Sequence, residues 1–75
     1  MLLSQKNLKF SDFVTIILAF GFVYQRTNGS HQIYFRDDIQ EGLNIQNLKG
    51  EAKAYQVRGF LKLVDEYRLE LKEIN

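Results

Sequence analysis

Gly29-Ser30-His31 is the stretch of this chain best suited to chemistry. His31 is the only histidine in 75 residues. It opens an apolar, β-like run, Gln32-Ile33-Tyr34-Phe35, after the turn-like Thr27-Asn28. An unperturbed imidazole titrates near pH ~6.5, so it can take or give a proton near neutrality. With a flexible glycine and a hydroxyl beside it at a strand mouth, it suits proton transfer to a bound ligand. The competing reading is a turn-proximal residue that only hydrogen-bonds, because an isolated tripeptide recurs by chance.

Other residues bear on the same chemistry. Gly29 reads either as a hairpin residue or as a point where a phosphate approaches the backbone. Ser30 reads either as its hairpin companion or as a phosphate donor. Arg26 enters the turn opposite His31 and is the best-placed cation. Lys49, Lys53 and Arg58 flank the start of a second helix, whose free N–H groups suit a phosphate; each is equally readable as part of a solvated basic face. Tyr24 and Tyr34 share strand parity on the face expected to be open. Exposed aromatics there suit base stacking or a protein interface. The same alternation puts His31 with Ile33 and Phe35, expected to be the core side. A chemically active His31 then has to lie at the sheet rim or beside a bulge.

The elements that position these residues follow from local pattern. A helix is expected from Ser11, as N-cap, with Asp12 in its positive first turn. Phe13, Ile17 and Phe20 form its apolar stripe, with Ile16 alongside, and Gly21 marks its left-handed end. Phe22–Arg26 reads as a first strand, Thr27-Asn28-Gly29 as the hairpin turn, and Ser30–Arg36 as a second strand. Asp37-Asp38 and Gln40-Glu41-Gly42 read as a polar connection, Leu43–Gln46 as a short third strand, and Asn47–Lys53 as a loop around Gly50. A second helix covers about Ala54–Leu69, with Val57, Leu61 and Val64 on one stripe widened by Phe60 and Leu71. Gly59 inside it costs about 1 kcal/mol against alanine. The order α-β-β-β-α gives an α+β fold: a three-stranded antiparallel sheet with both helices on one face.

Length bounds this to one domain over residues 1–75, with loosely ordered ends at 1–8 and 70–75. With no cysteine, neither a disulfide nor a thiolate is available, and the core rests on a composition that is 45% hydrophobic. The longest apolar stretch, Phe13–Val23, is broken by Thr15 and too short to span a bilayer. The expectation is a soluble cytoplasmic protein that engages no membrane. Residues 1–36 hold four basic groups against one acidic, and residues 37–75 six against eight. A local basic patch is thus compatible with a net charge of +1.

Three segments together carry a family likeness: Leu18-Ala19-Phe20-Gly21-Phe22, Gly29-Ser30-His31-Gln32-Ile33-Tyr34 and Ala54-Tyr55-Gln56-Val57-Arg58. In this order and placement the chain resembles, over nearly its whole length, the HicA family of small toxins from bacterial toxin–antitoxin pairs. The resemblance implies a double-stranded-RNA-binding-like fold. It also implies mRNA cleavage for which the histidine of the Gly-Ser-His motif is essential, and a HicB-type antitoxin that covers the active site. Many members carry a proline and a second histidine near the third strand, where this chain reads Asn44-Ile45-Gln46-Asn47. A proline often stands where Ala54 does, a mild change because proline there only pre-sets φ.

RNA cleavage without a metal needs a base for the ribose 2′-OH, an acid for the leaving 5′-oxygen, and cations for the phosphate. It calls for no cofactor. One imidazole cannot start in both protonation states, so a second group is required: Tyr34, a lysine or water. The function expected is a metal-independent mRNA endoribonuclease toxin with His31 as acid–base; the alternative is a non-catalytic RNA-binding or protein-interaction module of the same fold. Oligomeric state is left open.

Overall fold

A computed structural model describes residues 7–71. The elements are β1 (Leu8–Lys9), α1 (Phe10–Ala19), β2 (Val23–Asn28), β3 (His31–Arg36), β4 (Ile39–Gln46), β5 (Glu51–Ala52) and α2 (Ala54–Tyr67). Strands β2, β3 and β4 form the expected antiparallel sheet in that order. Strands β1 and β5 form a second, two-stranded antiparallel sheet that sequence reading missed. Leu8, expected in a loose end, is paired with Ala52. Asn7, also expected in that loose end, accepts from the Ala54 N–H; residues 1–6 and 72–75 lie outside the described residues.

The small sheet also moves the start of α1. Ser11 is not its N-cap: the helix begins at Phe10, behind Lys9, with no side-chain cap. The Phe10 N–H is instead satisfied by the Gly50 carbonyl at 2.9 Å. An incoming strand therefore fixes the helix start where a hydroxyl was expected to. At the other end, Gly21 adopts φ +90°, the left-handed position that the helix exit requires.

The first hairpin turns one residue later than expected. Asn28 pairs with His31, leaving Gly29-Ser30 as a two-residue loop. Gly29 has φ +67° and Ser30 does not share the positive sign, the pattern of a type II′ turn. The third strand is eight residues long rather than four. Arg36 pairs with Ile39, so only Asp37-Asp38 turns the chain; Gln40-Glu41-Gly42 lies within the strand, where the register with β3 shifts.

Phe13 and Ile17 of α1, Val57, Phe60 and Leu63 of α2, and Tyr34, Ile39 and Ile45 of the sheet belong to one buried cluster. Phe60 is its hub, with edge-on contacts to Phe13, Phe20 and Phe22 at ring separations of 5.5–5.9 Å. Nothing lies within 4 Å of a Cβ built on Gly59, so that glycine is tolerated rather than demanded by packing. Among the described residues, no helix is long and apolar enough to cross a membrane.

The register decides which sheet face meets this core. Gln32 pairs with Ile45 and Tyr34 with Leu43, whereas His31 pairs with Gln46 and Ile33 with Asn44. Directly paired residues share a face. Tyr34 and Ile45 are 3% and 2% exposed, so theirs is the core face. The opposite face presents His31, Ile33, Phe35, Asn44 and Gln46, with Val23 and Arg26 from β2. The expected parity of His31 with Ile33 and Phe35 holds, but the expected assignment of faces is reversed.

Candidate active site

His31 is the first residue of β3, immediately after the Gly29-Ser30 turn, and is exposed on the open face. The face reversal removes the conflict between its strand parity and access to a ligand. Its Nδ1 lies 2.9 Å from Asn44 Oδ1. A carboxamide oxygen only accepts, so a neutral His31 donates through Nδ1–H and keeps its proton-free Nε2 for another partner. Asn44 reaches it because β4 places Asn44 and Gln46, two residues apart, on the same face as His31.

Three glutamine and serine contacts hold the hairpin mouth. Gln46 Nε2 donates to Ser30 Oγ at 2.8 Å. From α2, Gln56 grips the Gln46 backbone at both ends: its Oε1 accepts from the N–H at 2.8 Å and its Nε2 donates to the carbonyl at 3.0 Å. One helix side chain thus ties the first turn of α2 to the strand end that pairs with His31. The Ser30 hydroxyl accepts in this arrangement, and its own proton remains free to donate.

Gly29 has open space around its missing side chain, so its left-handed backbone accounts for the residue type. Arg26 pairs with Ile33, which places it diagonal to His31 on the open face; Asn28 is the residue directly opposite. Arg26 is exposed, and among the described residues its side chain hydrogen-bonds Gln25 Oε1 at 3.4 Å.

The remaining basic residues are placed less simply. Lys49 sits with φ +56° at the tip of the Leu48–Glu51 turn, next to Gly50 at φ +83°. Lys53 is the residue preceding α2 and pairs with Glu51 at 3.1 Å. Arg58 is exposed on α2. The Gln46–Gln56 contacts bring the start of α2 to the same end of the molecule as His31. Its N-terminus is not the vacant phosphate site expected, however: the Ala54 N–H donates to Asn7 Oδ1 at 2.8 Å, and the Gln56 and Val57 N–H groups donate to the Lys53 carbonyl.

Tyr34 requires a correction. It is not an exposed stacking platform but a core residue whose hydroxyl donates to Gln32 Oε1 at 2.7 Å. Burial, with a smaller contribution from neighbouring Tyr24, raises its phenol above the ordinary tyrosine range. It therefore stays protonated near neutrality, and it lies on the sheet face away from His31, so it is not the second proton-transfer group. Tyr24 packs edge-on against it at 5.7 Å and is the exposed member of the pair.

A half-open cleft of about 430 Å³ lies at the other end of the sheet, lined by Val23, Tyr24, Phe35 and Arg36–Asp38 among others. Phe35 is four residues from His31 along β3, roughly 13 Å. The Arg36 guanidinium closes that end structurally, bonding Asp38 at 2.9 Å and the Phe20 carbonyl at 2.9 Å. That cleft thus lies away from His31, whereas a hollow of about 280 Å³ between β4 and α2 includes Asn44 and Gln56 in its lining.

Compared with known proteins, residues 10–65 match a family model described as the HicA toxin of bacterial toxin–antitoxin. No match emerges from comparison with curated proteins or with solved structures. The matched region runs from the first residue of α1 to the last turns of α2 and contains the whole three-stranded sheet.

Proposed function

This chain belongs to the HicA toxin family of bacterial toxin–antitoxin systems, and from that premise we propose that it is an mRNA endoribonuclease whose single histidine, His31, is the acid–base group. The observation that carries the reading is an exposed imidazole at the sheet rim with Nδ1 engaged by Asn44 and Nε2 facing no protein partner among the described residues.

In this reaction Nε2 of neutral His31 takes the proton of a ribose 2′-OH. The 2′-oxygen forms a bond to the adjacent phosphorus as the bond from phosphorus to the 5′-oxygen breaks. The products are a 2′,3′-cyclic phosphate and a 5′-hydroxyl, and the proton on the 5′-oxygen comes from water or from the imidazolium formed in the first step. No metal enters this route. Arg26 supplies positive charge to the phosphate across the face, and Ser30 donates its free hydroxyl proton to a phosphate oxygen. Lys49, Lys53 and Arg58 attract the RNA backbone from the same end of the molecule. Gly29 keeps the turn narrow beside them. A HicB-type antitoxin silences the toxin by covering this rim, and the pair operates in the cytoplasm.

One observation favours the alternative of a non-catalytic RNA-binding or protein-interaction module: among the described residues the hydrogen-bond partner of His31 is Asn44, which does not titrate. Induced expression in a bacterial host separates the two. Wild type and His31→Ala are compared at matched protein levels while total mRNA is followed. Growth arrest and mRNA loss with wild type alone support the nuclease; no mRNA loss with either, and RNA binding that survives the substitution, support the binding module.

A further inference from the structure

We propose that Asn44 is a positioning residue that holds His31 in the Nδ1–H tautomer and so makes Nε2 the proton-accepting atom. This deepens the nuclease reading and rests on it for the catalytic consequence, though the tautomer itself is testable without RNA.

Three features carry the inference. The Nδ1–Oδ1 separation is 2.9 Å, and the oxygen of a carboxamide has no proton to give, so the ring nitrogen is the donor. Which nitrogen of a neutral imidazole is protonated is set by the bond that the other partner demands. Asn44 also sits on a fixed base: its neighbours Leu43 and Ile45 face the core, and Ile45 is 2% exposed. Finally, the residue directly opposite His31 is turned elsewhere: Gln46 donates through Nε2 to Ser30 and its backbone is held by Gln56, whereas the side chain that bonds the His31 ring is Asn44. Asn44 is thus the side chain held ready for the ring.

The choice of a neutral partner has a chemical consequence. A carboxylate at this position would stabilise imidazolium and oppose the base role at neutral pH; a carboxamide orients the ring without placing a charge beside it. The groups facing His31 from the two flanking strands are Asn28 and Arg26 on β2, and Asn44 and Gln46 on β4. Arg26 is the charged member of this set. When Nε2 takes the 2′-OH proton, the Nδ1–H bond to Asn44 persists, so the ring does not rotate during the step.

The test uses the full chain, labelled with ¹⁵N, and reads the ring nitrogens of His31 by NMR above the pH at which the ring loses its second proton. The expected spectrum has a protonated Nδ1 and an unprotonated Nε2. Asn44→Ala should shift the population toward the Nε2–H form. It should also lower kcat on a short single-stranded RNA about five- to tenfold, the worth of one neutral hydrogen bond, with KM unchanged. Asn44→Asp, which keeps the side-chain size, should retain the tautomer and move the acid limb of the pH–rate profile to higher pH. A wild-type spectrum dominated by Nε2–H would overturn the proposal, as would an Asn44→Ala variant with unchanged tautomer and unchanged kcat. If wild type cleaves no RNA, the nuclease reading fails, and the nitrogen spectrum still decides the tautomer.

Discussion

Truncating Tyr34 and its neighbour Phe35 in turn tests which side of the sheet carries His31. The two aromatics are adjacent in β3 and point to opposite faces. Tyr34 is 3% exposed within the core cluster, and Phe35 is 39% exposed on the open face. Tyr34→Ala removes a buried ring and leaves a cavity among packed neighbours, which costs about 3–5 kcal/mol. It also deprives Gln32 of its hydroxyl partner. Phe35→Ala gives up only partial burial, and solvent fills the space, so the loss is about 1–2 kcal/mol. The expected difference of roughly 2–3 kcal/mol is large against the total of about 4–11 kcal/mol for a domain of this size. Urea unfolding followed by circular dichroism reads it directly. With an m-value of ~1 kcal/mol/M, the midpoint of Tyr34→Ala should lie about 2–3 M below that of Phe35→Ala. A Phe35→Ala variant as unstable as Tyr34→Ala, or less stable, would refute the face assignment and return His31 to the core side.

Further outcomes follow from the same geometry. Gln56→Ala should cost about 1–2 kcal/mol, because the Gln46 N–H and carbonyl both lose their partner; hydrogen exchange at the Gln46 amide should accelerate with it. Tyr34 has a folded-state pKa raised by burial, so the folded state retains its proton where the unfolded chain has lost it. Its contribution to stability is therefore complete below the ordinary tyrosine range and declines as pH rises through the folded value. Tyr34→Phe should flatten that alkaline decline in a pH series of denaturation curves. Arg26→Ala should weaken binding to single-stranded RNA irrespective of sequence, and reduce the slope of log K against log salt by about 0.7, as one lost phosphate contact requires.

Much of the architecture was legible in local pattern. The stripe of Phe13 and Ile17, the stop at Gly21, and the stripe of Val57, Phe60 and Val64 reported both helices. Asn28-Gly29 located the first hairpin to within one residue. The small β1–β5 sheet was not legible, because two-residue strands have no periodicity to detect; the shift of the α1 start from Ser11 to Phe10 follows from it. The length of β4 was hidden by Gln40-Glu41-Gly42, whose polarity suits the exposed stretch of a strand as well as a loop.

The reversal of faces has a more instructive cause. In β3, Ile33 and Phe35 are as apolar as Tyr34, so alternation within that strand does not identify the core side. Strand β4 does: Leu43 and Ile45 alternate with Gly42, Asn44 and Gln46. Using that signal requires the register that pairs Gln32 with Ile45, which the unexpected extent of β4 concealed. The same gap hid the site's second member. Asn44 stood in the sequence as a departure from the family pattern, and only the register brings its carboxamide to His31.

The central claim is that His31 performs proton transfer in RNA cleavage. The most direct measurement incubates purified wild type and His31→Ala, without added metal, with a defined single-stranded RNA and identifies the ends of the fragments by mass spectrometry. The account predicts 2′,3′-cyclic phosphate and 5′-hydroxyl ends from wild type and no fragments from His31→Ala. Equal cleavage by the two proteins, or fragments ending in a 5′-phosphate, would contradict it.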